Sequence, residues 1–133
     1  MPVIAYNPIG IVENPIAEPF RPEVIRAIES RLVLQPRFAP AVAALEVGQQ
    51  LLVIYHLHRS EEWQDRLMPE LMTRRIACRP NPIGVTLTRI VSLNSSTITV
   101  VGLDSINGSP ILDIKPYKSI FDAPPVHPTE HEP

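Results

Sequence analysis

Apolar and polar positions alternate along this chain in short runs, and most runs are closed by proline, glycine or asparagine. A period of two puts successive side chains on opposite faces of an extended strand. Residues 83–93 (IGVTLTRIVSL) and 96–103 (STITVVGL) follow that period, and Asn94-Ser95 between them predicts a hairpin. Residues 51–58 (LLVIYHLH) are apolar, β-branched and aromatic, which predicts a strand buried in the core. Shorter strands are expected over 9–13 (IGIVE), between the turns Asn7-Pro8 and Asn14-Pro15, over 31–35 (RLVLQ) and over Ile111–Ile114. Asn107-Gly108 is a strong turn signal.

Helical signals are brief. Pro22 suits a first helical position and predicts a short helix through Val24, Ile25 and Ile28. Ala39–Leu45 predicts one or two turns, ended by Gly48. Residues 59–72 carry many charges together with Trp63, Leu67, Met68 and Pro69, and read as a surface loop. Many short strands, tight turns and little helix predict a mainly β fold: a small antiparallel β-barrel or sandwich with short helical segments. A helix-rich α/β fold is the weaker alternative. A Rossmann fold is disfavoured, because no Gly-x-Gly-x-x-Gly follows a strand.

Composition sharpens this. A chain of 133 residues suits one domain. Hydrophobic residues at 44% and charged ones at 20% describe a globular chain that can bury a core. Proline is the outlier, with 16 residues against only 5 glycines, so stiff loops are expected and long helices are not. Residues 1–122 are read as the folded barrel domain and 123–133 (APPVHPTEHEP) as a flexible Pro-rich tail. A net charge of -2 gives no bulk attraction to nucleic acid. The lone Cys78 rules out an internal disulfide framework and fits a reducing compartment. There is no apolar run of the ~18 residues a membrane span needs, and MPVIAYNPIG lacks the features of a signal peptide. A cytoplasmic location without membrane association is expected.

The most unusual segment is RPNPIG, Arg79–Gly84. Pro80 and Pro82 fix their own φ and push Arg79 and Asn81 toward extended backbone, so four residues in a row are stiff before folding. Such a loop either presents Arg79 and Asn81 to a ligand or is simply a rigid corner. Gly84 then permits a close backbone approach or a positive φ. Leu103–Tyr117 gathers Asp104, Asp113, Lys115 and Tyr117 around two strand ends and a turn, but spacing alone does not make two of them an acid–base pair. Residues 71–103 hold Arg74, Arg75, Arg79 and Arg89 and no carboxylate, which suits anion recognition or pairing with the upstream Glu61, Glu62, Asp65 and Glu70. His56 and His58 would share a strand face, but no third metal ligand is evident and no metal is expected. Arg79 beside Cys78 favours a thiolate, yet the sequence offers no base partner for a nucleophile.

RPNPIG, an alternating strand and then GLDSINGSPILDIKPY together resemble the TsaA-like (TrmO) family, best known for tRNA threonylcarbamoyladenosine methyltransferases. The likeness extends to IGIVENP, RLVLQPRFAPAVAALE and LLVIYHLHRS, and so covers residues 9–122. It implies a small β-barrel that dimerises, binds S-adenosylmethionine and methylates the N6 nitrogen of threonylcarbamoyladenosine beside the tRNA anticodon. By the same resemblance the cofactor contacts fall on His58, Arg59, Arg75, Val85, Leu103, Asp104, Ser105 and Ile106. Backbone groups of the last four would read the adenine edge. Asp113, Lys115 and Tyr117 are candidates for stabilising a ureido nitrogen as it attacks, because such a nitrogen is a poor nucleophile. Arg79 and Asn81 would orient a substrate carboxylate or phosphate. The family's Thr-Arg-Ser-Pro-His reads Arg74-Arg75-Ile76-Ala77-Cys78 here, and its Asp-Gly-Thr-Pro reads Asn107-Gly108-Ser109-Pro110. Its N-terminal Pro-Arg-Gln has only Phe20-Arg21-Pro22-Glu23 as a counterpart.

Overall fold

The alternating segments form six antiparallel strands in this computed structural model, which describes residues 1–18, 21–57, 72 and 79–127. The strands are β1 (Gly10–Glu13), β2 (Ser30–Leu34), β3 (Gln50–His56), β4 (Ile83–Asn94), β5 (Thr97–Val101) and β6 (Pro110–Pro116). They close into a barrel in the order β1-β2-β5-β4-β3-β6. The mainly β barrel is therefore the observed fold, and the sandwich and α/β alternatives fall away.

Burial alternates along the strands even where polarity does not. The apolar run of β3 is buried on one face only: Leu51, Val53 and Tyr55 point into the core, while Leu52 and Ile54 between them face outward. Val12, Leu32, Val53, Val100, Leu103 and Ile111 have no exposed surface and form the centre of the core. Burying one such aliphatic side chain contributes about 1.5–3 kcal/mol. Thr86 and Thr88 also point inward from β4, and the Thr88 hydroxyl donates to the Leu51 carbonyl at 3.0 Å. A buried hydroxyl needs such a partner.

The predicted hairpin joins β4 to β5, with Ser95 at φ 56° in the turn. Two register shifts bend the sheet. In β4 one occurs between Ile90 and Ser92, and in β6 the run from Ile111 to Asp113 skips Leu112 opposite β3. Bulges of this kind add the local curvature that closure requires. The helices are short, as expected: α1 (Pro22–Ile25), α2 (Ala39–Ala43, after a 3-10 turn at Pro36–Phe38) and α3 (Ser119–Asp122). The turn α3 was not anticipated from sequence. Among the described residues no helix is long and apolar enough to cross a membrane.

Candidate functional site

Strand β3 organises the candidate residues, because it pairs with β4 on one side and β6 on the other. Its last residues, Tyr55 and His56, lie opposite Gly84 and Ile83 of β4, so the proline-stiffened corner sits against this end of β3. Two backbone bonds fix the corner. The Leu57 N–H donates to the Pro82 carbonyl at 2.8 Å, and the Ile83 N–H donates to Asn81 at 2.7 Å, which closes a three-residue turn about Pro82. Arg79 is half-buried and Asn81 exposed.

Gly84 lies against the Tyr55 ring near its hydroxyl end. A Cβ added at Gly84 would sit 2.4 Å from Tyr55 Cε2 and 2.7 Å from Cζ. The glycine therefore serves a close approach, one of the two uses open from sequence. Tyr55 is only 3% exposed, so its hydroxyl must find partners inside the molecule. It donates to the Asp104 carbonyl and lies 2.9 Å from Thr86 Oγ1. Tyr55 thus connects the corner to Leu103–Ile106, two segments far apart in sequence.

Leu103–Ile106 has no regular secondary structure, although Leu103, Ser105 and Ile106 are buried. Three of its four carbonyls, and that of Gly102 just before it, are held by side chains. Arg26 Nε donates to Gly102 at 2.7 Å, Tyr55 to Asp104, Asn14 Nδ2 to Ser105 at 2.8 Å, and the Ser109 hydroxyl to Ile106 at 2.8 Å. The donors of the same stretch are in the opposite condition. The backbone N–H groups of Leu103, Ser105 and Ile106 make no hydrogen bond among the described residues. Ser105 Oγ is the one buried side-chain polar atom there without a partner. Burying an unpaired donor costs about 1–3 kcal/mol, so a run of them suits a ligand rich in acceptors. Adenine presents ring nitrogens of that kind.

Asn14 is a second tie. Besides Ser105 it donates to Ser30 Oγ at 3.0 Å, its own Oδ1 accepts from the Ile16 N–H at 3.0 Å, and its N–H donates to Asn107 Oδ1 at 3.1 Å. Read from sequence, Asn14 was only a turn residue and Tyr55 only part of an apolar run. The signal available for Tyr55 was a phenol at an inward position of an aliphatic strand.

The remaining candidates lie along the outer face of the same three strands. Val85 and Asp113 are both level with Ile54, on either side of it. Lys115 is level with Leu52, and the Tyr117 N–H donates to Gln50 at 3.1 Å. At ~3.4 Å per residue, Tyr117 is about 17 Å along β3 from Tyr55. Asp113 and Lys115 form an ion pair at 3.0 Å, with side chains 48% and 59% exposed, and Asp113 Oδ1 also accepts from the Ile114 N–H at 2.8 Å. Arg89, one of the four arginines of the basic stretch, donates to the Gly48 carbonyl at 2.9 Å. His58, Arg59, Arg75, Arg74 and Cys78 lie outside the described residues, as do the carboxylates of 59–71, Phe20 and residues 128–133 of the expected tail.

Residues 12–123 match the tRNA-methyltransferase O N-terminal domain. The chain belongs to the TrmO family. A probable S-adenosyl-L-methionine-binding protein of Pyrococcus abyssi is 30% identical over 131 residues, covering 90% of this chain and 71% of the relative. The tRNA (adenine(37)-N6)-methyltransferase of Escherichia coli is 28% identical, covering 90% of this chain and 60% of that protein. The crystal structure of TrmO from Pseudomonas aeruginosa superposes with a TM-score of 0.74 at 28% identity, over 91% of this chain and 58% of that one. The chain thus spans under two thirds of these last two TrmO relatives. The cofactor carried in the relatives' names is S-adenosylmethionine, and Leu103–Ile106 lies within the matched region.

Proposed function

We propose that this chain binds S-adenosylmethionine at Leu103–Ile106 and methylates a tRNA nucleoside, the N6 nitrogen of threonylcarbamoyladenosine beside the anticodon. One observation carries the cofactor part: a buried segment in which three of four carbonyls are tied off while three N–H groups and the Ser105 hydroxyl have no partner among the described residues. Family membership and the E. coli relative support the acceptor.

The cofactor, when bound, supplies an electrophilic methyl group. The protein's task is then to hold acceptor and methyl in line and in near contact. The Ser105 and Ile106 N–H groups and the Ser105 hydroxyl hold the adenine edge, and Asp104 accepts from a hydroxyl or amine of the cofactor. Val85, 39% exposed on the outer face beside Gly84, supplies apolar contact. His58, Arg59 and Arg75 complete the cofactor set by resemblance. Arg79 and Asn81, on the rigid corner, orient the substrate's carboxylate or phosphate by charge-assisted hydrogen bonds. Asp113, Lys115 and Tyr117 remain the candidates for stabilising the ureido nitrogen. Asp113 stands nearest along β3 to Tyr55, and its ion pair with Lys115 orients it.

A homodimer belongs to this reading. Ile83 and Val85 are 44% and 39% exposed on the outer face of β4, next to the outward Ile54 and Leu52 of β3, and a second copy would cover this row. Sedimentation equilibrium should give twice the 14.9 kDa chain mass, and a monomer at micromolar concentration would refute the dimer.

The test of function is the nucleoside profile of tRNA from a deletion strain. Methylated threonylcarbamoyladenosine should disappear and return with the gene, and an unchanged profile would refute the acceptor. A second reading keeps the cofactor and replaces tRNA with a small acceptor. The net charge of -2 and the archaeal relatives named only for cofactor binding favour it. Turnover on purified tRNA at physiological salt would remove it.

A further inference from the structure

The phenol of Tyr55 has one hydrogen, and it is given to the Asp104 carbonyl. Thr86 Oγ1, 2.9 Å from the phenol oxygen, must then be the donor in that contact. Asp104 belongs to no strand or helix, so no ladder sets the plane of its peptide. In a trans peptide the carbonyl of one residue and the N–H of the next lie in one plane and point in opposite directions. Fixing the Asp104 carbonyl on Tyr55 therefore turns the Ser105 N–H the other way. Asn14 does the same one peptide later, since its bond to the Ser105 carbonyl sets the direction of the Ile106 N–H. The two donors are aimed by side chains distant in sequence, Tyr55 of β3 and Asn14 in the turn after β1. Tyr55 in turn is seated by Gly84, which leaves its ring no room to shift toward β4.

We infer that Tyr55 is a positioning residue for the cofactor: seated on Gly84, it holds the Asp104 peptide so that the Ser105 N–H faces the bound adenine. This rests on the proposed cofactor role of Leu103–Ile106 and adds to it a residue outside that segment. It also gives the Arg79–Gly84 corner a task beyond meeting substrate, because the corner fixes the ring that fixes the donor.

The test is calorimetric titration of S-adenosylhomocysteine into the whole chain and into Tyr55→Phe and Thr88→Val. Each variant deletes one buried hydroxyl that donates to a backbone carbonyl, so both lose a similar amount of thermal stability. Only Tyr55→Phe is expected to lose affinity, by tenfold or more, with Thr88→Val within twofold of the parent. The Ser105 amide resonance of the ligand-free protein should move in Tyr55→Phe and stay in Thr88→Val. Gly84→Ala is the second variant: it keeps the hydroxyl, displaces the ring, and should also weaken binding. Parental affinity in Tyr55→Phe or in Gly84→Ala, or equal losses in Tyr55→Phe and Thr88→Val, would overturn the inference while leaving the cofactor reading intact. No binding by the parent would overturn both.

Discussion

Gly84→Ala makes the packing at the end of β3 measurable. The new methyl would lie 2.4, 2.7 and 3.0 Å from Cε2, Cζ and Oη of Tyr55, distances at which something must move. The ring is 3% exposed and hydrogen-bonded at its tip, so it cannot swing into solvent. Overpacking of this kind costs about 1–3 kcal/mol. Gly84 has no left-handed φ, so alanine fits its backbone and recovers about 0.4–1 kcal/mol by restricting the unfolded chain. The net loss is then about 1–2 kcal/mol. At this size 1 kcal/mol corresponds to roughly 3–6 °C, so Tm should fall by roughly 3–12 °C. Thermal denaturation followed by circular dichroism reads this directly. In a Tyr55→Leu background the same alanine enters space the ring has left, and its increment should drop to near zero. An alanine variant as stable as the parent, or an equal increment in both backgrounds, would refute the reasoning.

Other changes follow from the same geometry. Gly10→Ala would place a Cβ 2.4 Å from the Val33 carbonyl oxygen and 2.8 Å from Leu34 Cα, both backbone, so soluble folded protein should be largely lost on expression. Asn14→Ala removes the ties to Ser105 and Ser30 and the turn bond to Ile16, and urea denaturation should report a loss of about 1–3 kcal/mol. Lys115→Ala breaks an ion pair that is largely in solvent, so the same measurement should show less than about 1 kcal/mol, shrinking further in high salt. If methyl transfer uses Lys115, activity will fall far more than stability.

The strands were legible because burial on one face leaves a period-two trace, as in β5, or because an unbroken apolar run stands out, as in β3. Their order was not. Nothing local tells β2 to pair with β5, residues 30–33 against 97–100, because that choice depends on closure of the whole sheet. The bulges at Val91 and Leu112 are likewise invisible, since each residue looks like an ordinary strand member. At the candidate site, the corner and Leu103–Ile106 could be picked out from proline spacing and the family motif. Their junction could not, because it runs through a phenol and a glycine about thirty residues apart in sequence. The role of Asn14 was hidden by its more common use beside a proline in turns.

The barrel is closed where β1 meets β6, and that seam has only two register pairs, Gly10 with Ile111 and Ile11 with Pro110. Pro110 brings no N–H, so the seam leans on the bonds from Ile9 to Ile111, from Val12 to Ser109 and from Gly108 to Val12. Breathing of the cylinder should begin here, and amide protons of β1 should exchange with deuterium sooner than those of β3, which is laddered along both sides. The first and last strands are also neighbours, so a chain rejoined at its termini and reopened at Asn94–Ser95 keeps every ladder and turns the weakest closure into a covalent one.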